Sequence, residues 1–181
     1  MNKRLLIDLE TRSELDISAG AHNYSRHPST SGLCIALTNE DLQVNVYDLV
    51  TNPHWPKEWE IAVREGWEIH SWGVPFEHSI ITNTLKHWPQ PHPELWRDTM
   101  AKSLCCGFPA KLGMAAKALR LPELKDDKGS ALINFFCKPI ASGEKKGHFR
   151  QPADHLDRLP VHNLPHIQNW PTYVPCVVAK G

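Results

Sequence analysis

Asp8 and Glu10 are the residues from which chemistry could start. They flank Leu9 at the end of a short apolar run, Leu5-Leu6-Ile7. Such a run reads as a buried strand, and in a strand two residues separated by one project to the same side. Neighbouring carboxylates oppose each other's ionisation unless a cation neutralises them. Hard divalent ions such as Mg²⁺ or Mn²⁺ take oxygen ligands of this kind. A pair of such ions can activate a water and stabilise the leaving oxygen in phosphodiester hydrolysis. An Asp-x-Glu triplet arises on the order of once in a chain of average composition and this length, so a solvated strand end is the plain alternative.

These side chains need elements to hold them. The strand over residues 4–9 leads into a polar stretch, 11–31, that reads as a loop with Gly20 and Pro28. Leu33 to Leu37 and the alternating Leu42-Gln43-Val44-Asn45-Val46-Tyr47 read as two more strands, joined as an antiparallel hairpin. Pro56 introduces a helix over 57–65. Glu68 to Trp72 is a short strand candidate, and Phe76, Ile80, Ile81 and Leu85 recur at near-helical spacing after Pro75. Thr99 to Cys106 reads as a helix stopped by Gly107 and Pro109. Leu112, Ala115, Ala116 and Leu119 mark another helix face, and Ala131, Leu132, Phe135 and Phe136 the last. Strands first, then a strand among helices, make a mixed α/β sheet the economical reading. Beyond Pro152, prolines at 160, 165, 171 and 175 break any period, and an irregular tail over 156–181 is expected.

The chain has 181 residues, enough for one domain and a tail but not for two full domains. Lys plus Arg and Asp plus Glu number 20 each, which excludes a polybasic nucleic-acid binder and leaves any such activity to a local site. At 41% hydrophobic and 22% charged residues, the composition is that of a globular protein. No run of ~18 apolar residues is present, so no membrane span is expected. Leu5 to Ile7 is too short for a signal peptide. Five cysteines without C-x-x-C spacing suit a reduced, cytoplasmic protein with no disulfide framework.

Further along stand Asp8-Leu9-Glu10-Thr11-Arg12-Ser13, then Gly20, Tyr24 and His27-Pro28, then Trp72-Gly73-Val74-Pro75-Phe76-Glu77. Trp96-Arg97-Asp98-Thr99-Met100-Ala101, Lys125-Asp126-Asp127-Lys128-Gly129 and Phe149-Arg150-Gln151-Pro152 follow. This ordered set resembles the N-terminal 3′–5′ exonuclease domain of phage-type family A DNA polymerases, members of the ribonuclease H-like DEDD superfamily. The resemblance covers about residues 4–155 and implies a ribonuclease H-like mixed sheet flanked by helices. It implies that Asp8, Glu10 and Glu77 are catalytic and hold two Mg²⁺ or Mn²⁺ ions. Asp98 would stand behind them, and Arg12, Ser13, Phe76, Lys125 and Lys128 would be candidate substrate contacts. The implied substrate is the single-stranded 3′ end of DNA, hydrolysed for proofreading in a bacterial or phage-infected cell. Taken by themselves, Glu77 is an acid favoured by a helix start and Asp98 equally a helix N-cap.

Two departures from the family stand out. Trp72-Gly73 replaces the His-Asn usual just before Phe-Glu. The third motif, Tyr-x-x-x-Asp, which in the family supplies the last metal carboxylate and a water-positioning hydroxyl, is missing. Tyr173 is the only tyrosine after residue 47, and Leu159-Pro160-Val161-His162-Asn163-Leu164-Pro165 cannot form its helix. A truncated or frameshifted gene would explain both the loss and the aperiodic tail. The expected activity is therefore impaired, with the polymerase module on a separate or lost segment. The alternative is an inactive remnant that binds nucleic acid or a polymerase chain. Among weaker signals, His162 and His166 with His155 suggest a tail metal site that Pro160 and Pro165 deny a helix. The tryptophans at 55, 59, 67, 72, 88 and 96 read as packing rather than base stacking.

Overall fold

A computed structural model of the chain describes residues 3–39, 43–121, 135–141 and 147–150. Within them the chain folds as a mixed five-stranded sheet with helices, an α/β arrangement. The strands are β1 (Arg4–Arg12), β2 (Ser31–Thr38), β3 (Val44–Asp48), β4 (Glu68–Ser71) and β5 (Trp96–Asp98), in the order β3-β2-β1-β4-β5. β1, β2 and β3 pair antiparallel, while β4 pairs parallel with β1 and β5 parallel with β4. The helices are α1 (Ala21–Arg26), α2 (Lys57–Glu65), α3 (Val74–Ser79), α4 (Thr99–Cys105) and α5 (Leu112–Ala118).

β1 sets the geometry of everything else. Leu5, Ile7, Leu9 and Thr11 are buried on one face, while Leu6, Asp8, Glu10 and Arg12 are half-buried on the other. The strict alternation follows from the two-residue period of a strand whose two faces meet different surroundings. β2, flanked on both sides, is buried from Gly32 to Thr38. Its register against β1 slips at Glu10/Thr11: Glu10 faces Cys34 and Thr11 faces Gly32, so Leu33 is the extra residue of a bulge. A bulge bends its strand and re-aims nearby side chains, and this one lies level with Glu10.

The core gathers Leu5, Ile7, Leu9, Ile35, Leu37 and Ile69 from the sheet against Trp59, Ala62, Ile80 and Ile81 from the helices. Trp59 is fully buried. Its indole N–H donates to the Pro89 carbonyl at 3.0 Å, so the ring contributes apolar burial without stranding a polar group. Trp88 packs beside it with ring centroids 5.9 Å apart. α2 ends where Gly66 adopts φ +69, and its amide closes on the Ala62 and Val63 carbonyls, the left-handed stop that glycine permits.

The expected helix over 57–65, the hairpin and the strand at 68–72 are present. Three features depart from expectation. Residues 11–31 are not all loop: Thr11 and Arg12 extend β1, and Ala21–Arg26 form α1, a helix of six residues too short to show a period. The segment after Pro75 is α-helical only to Ser79. It then widens into a π turn over Ile80–Thr84, with the Leu85 amide donating to the Ile80 carbonyl at 2.9 Å. β5 has three residues and no sequence signal. Of the helix expected over 131–136 only Phe135 and Phe136 are described, and the 156–181 tail, with its histidines and Tyr173, lies outside the described residues. Trp59, Trp88 and Trp96 are buried, and Trp55 and Trp67 pack against the core. No helix among the described residues is long and apolar enough to cross a membrane.

Candidate active site

Three adjacent parallel strands deliver their ends to one edge of the sheet. Asp8 projects from β1, Ser71 ends β4 and Asp98 ends β5. In open α/β sheets this edge, at the carboxyl ends of parallel strands, is where ligands bind. The chain leaves β4 through Trp72 and Gly73 and enters α3 at once, which carries Glu77 in its first turn back over the strand ends. The turn needs Gly73, whose φ of +103 lies in the region that L side chains rarely adopt and whose carbonyl accepts from the Phe76 amide at 3.0 Å. Gly73→Ala is expected to cost about 1–2 kcal/mol, the price of a left-handed residue with a Cβ. Urea unfolding checks this, and an unchanged midpoint would contradict it.

Glu77 is the most perturbed acid among the described residues. It is 4% exposed, and burial pushes its carboxyl up to about 8, with the charges of Asp8 and Asp98 adding to the shift. Its Oε2 is buried with no hydrogen-bond partner among the described residues, while the Ser71 hydroxyl lies beside the carboxyl and partly offsets the rise. A buried oxygen without a partner is costly to the fold. Asp98 also caps α4: its carboxylate accepts from the Ala101 amide at 3.0 Å. Thr99 donates to the Ser71 carbonyl at 2.7 Å, joining β4 to α4.

Asp8, Glu77 and Asp98 are thus brought within electrostatic reach of one another. Glu10 faces somewhat elsewhere. It lines a cavity of about 730 Å³ whose walls include Leu9, Thr11, Tyr24, Phe76 and Cys137. Burial, with the Glu10 charge adding, pushes the Cys137 thiol up to about 12. Tyr24 is buried, its hydroxyl 3.0 Å from the Thr11 Oγ1, and its ring packs on Phe76 at 5.9 Å. Among the described residues no three His, Cys, Asp or Glu side chains are gathered closely enough to hold a metal ion.

The other expected contacts divide. Phe76 lines the cavity beside Glu10. Ser13 also borders it, but its hydroxyl is committed to loop structure, accepting from Thr30 at 2.8 Å and from the Leu15 amide at 3.1 Å. Arg12 donates from Nε to Ser31 at 3.1 Å and lies 5.2 Å over the Phe149 ring, holding the 147–150 segment to β1. Lys125 and Lys128 lie outside the described residues. Tyr24, Ser71 and Cys137 are members of the site that residue spacing did not single out as chemistry. Trp72, in the place of a polar residue, donates its indole N–H to the Ala110 carbonyl at 3.0 Å.

No protein-family model matches the chain. A DNA polymerase of Bacillus phage SP02 is 34% identical to it over 150 residues. The match takes in 79% of this chain, which spans 23% of the length of that relative. Over that stretch the chain is related to a phage DNA polymerase.

Proposed function

We propose that the chain is a metal-dependent 3′–5′ exonuclease domain of a DNA polymerase, with a ribonuclease H-like fold, acting on single-stranded 3′ ends of DNA. The observation that carries the reading is the buried Glu77 carboxyl, with one oxygen unpartnered among the described residues, set within reach of the charges of Asp8 and Asp98 at the strand ends. The relation to a phage DNA polymerase and the mixed sheet support it.

Asp8, Glu10 and Glu77 offer the carboxylate oxygens that a hard divalent cation takes, but among the described residues no three of them are gathered closely enough to hold one, so a bound ion would have to draw them together. Asp8, Glu10 and Glu77 are the residues that would hold Mg²⁺ or Mn²⁺, with Asp98 behind them. When bound, such ions supply positive charge against the charge that develops on a phosphodiester. The protein's own part is separate. The regular register of β1 on β2 fixes the spacing of Asp8 and Glu10, α3 presents Glu77, and Tyr24 and Phe76 wall the cavity in which a terminal nucleotide would lie. Arg12 and Ser13 are held beside the site by Ser31 and Thr30, and both stay candidate substrate contacts.

The missing Tyr-x-x-x-Asp motif makes the activity slow. The spread of the described carboxylates favours a second reading, an inactive domain that binds nucleic acid or a polymerase chain through the same cleft. A 5′-labelled single strand incubated with the protein and Mn²⁺ separates the two. Slow, chelator-sensitive shortening from the 3′ end is expected. Strand binding without any shortening would sink the hydrolytic reading in favour of the second.

A further inference from the structure

α4, α5 and the turn between them hold no acidic residue. Between Asp98 and Glu123 the charged residues are Lys102, Lys111, Lys117 and Arg120. All four are exposed, and none forms an ion pair among the described residues. In a chain of zero formal charge this is a local excess of cations. Apolar side chains are interleaved with them. Leu104, Met114 and Leu119 are 49%, 54% and 48% exposed, although residues of this size ordinarily find cover. On α5 the buried Ala115 and Ala116 face inward, which turns Met114 and Lys117 outward.

This surface starts at the carboxylate site. α4 begins on its Asp98 cap, Thr99 is bonded to Ser71, and the Trp72 indole ties the α4–α5 turn to the end of β4. A cluster of acids repels a phosphodiester strand, so something beside it has to attract one. We propose that the exposed side chains of α4, α5 and the turn between them dock single-stranded nucleic acid, with phosphates on Lys102, Lys111, Lys117 and Arg120 and bases or sugars against Leu104, Met114 and Leu119. The proposal rests on the hydrolytic reading of the neighbouring carboxylates and deepens it by giving the strand a path. A duplex presents phosphates but keeps its bases stacked inside, leaving the three apolar side chains in water. A single strand presents both kinds of surface.

The test is binding of a 5′-fluorescein oligothymidylate to the full chain in EDTA at several salt concentrations. Each phosphate contact removed lowers the salt slope by about 0.7, and the variant with all four cations changed to Ala is expected to lose at least about tenfold in affinity. Leu104→Ala with Met114→Ala is expected to weaken single-strand binding without changing the slope. Lys57→Ala on α2 is the control, and because all the changed side chains are exposed, the unfolding midpoints should hold. Unchanged affinity and slope in the four-cation variant, an equal loss in Lys57→Ala, or tighter binding of a duplex of the same length would each overturn the proposal. So would a dimer that Leu104→Ser and Met114→Ser dissociate while DNA affinity stays constant, which would assign the face to a second copy. With the metal chelated, turnover does not enter the measurement. Loss of binding without any Mn²⁺-dependent cleavage in the parent keeps this surface and removes the hydrolytic reading; cleavage with unchanged binding does the reverse.

Discussion

Asp8→Ala is expected to abolish Mn²⁺-dependent shortening of a single-stranded 3′ end, a fall of at least about a thousandfold in rate or to the buffer background, whichever comes first. Members of a cooperative catalytic set typically cost orders of magnitude when removed singly. The substitution spares the core. Asp8 sits within β1, paired with Ala36, and its side chain lies on the half-buried face rather than in the core formed by Leu5, Ile7 and Leu9. Alanine keeps the strand backbone. It also removes a charge that pushes the Glu77 carboxyl upward, which offsets the loss of the contacts Asp8 makes, so the unfolding midpoint of the metal-free protein should stay close to that of the parent. Loss of activity with a midpoint close to the parent's is the signature of a site residue. Activity that survives Asp8→Ala would place the chemistry elsewhere or in a contaminant.

Glu77→Gln is expected to remove a pH dependence of stability worth several kcal/mol. In the folded, metal-free protein the Glu77 carboxyl holds its proton to about pH 8, chiefly because it is buried, while in the unfolded chain it releases it near 4.5. Between those values the folded state binds more protons than the unfolded one, so stability falls as pH rises. The contribution is fully present below pH 4.5 and lost by about pH 8. Each pKa unit corresponds to about 1.4 kcal/mol. Gln keeps the shape and cannot ionise. Urea unfolding in EDTA at pH 5 and pH 8 should therefore show a marked loss for the parent chain, a flatter profile for Glu77→Gln, and the variant the more stable of the two at pH 8. Parallel profiles would mean that Glu77 ionises normally. The two substitutions point to the same physical bargain: a site of crowded acids costs stability that a purely structural arrangement would keep.

Much of this was legible in the sequence because it depends on local rules. The apolar run opening residues 4–9, the alternation along 42–47, Pro56 before a helix and the Asp8-Leu9-Glu10 spacing are all local features of single elements. Asp98 as an N-cap was legible as one of two options, and the structure shows the cap, with the same charge reaching Glu77. α1 and β5 escaped because six and three residues are too few to establish a period. What Arg12 and Ser13 bond to escaped for another reason. Their spacing beside Glu10 is visible in the sequence, but their partners, Ser31, Phe149 and Thr30, come from distant positions in the chain.

The sequence by itself determined which residue types stand at the end of the first strand, since the two-residue period of a strand places Asp8 and Glu10 on one face whatever else the chain does. Only the tertiary structure decided what surrounds them. The order β3-β2-β1-β4-β5 sets β4 and β5 beside β1 and so brings Ser71, Asp98 and the buried Glu77 to the same edge as Asp8. The bulge at Leu33 and the cavity wall at Cys137 leave Glu10 facing a different neighbourhood. Burial and the sum of charges are properties of through-space neighbours rather than of spacing along the chain. For that reason the shift of the Glu77 carboxyl to about 8 could not be read from the residues alone.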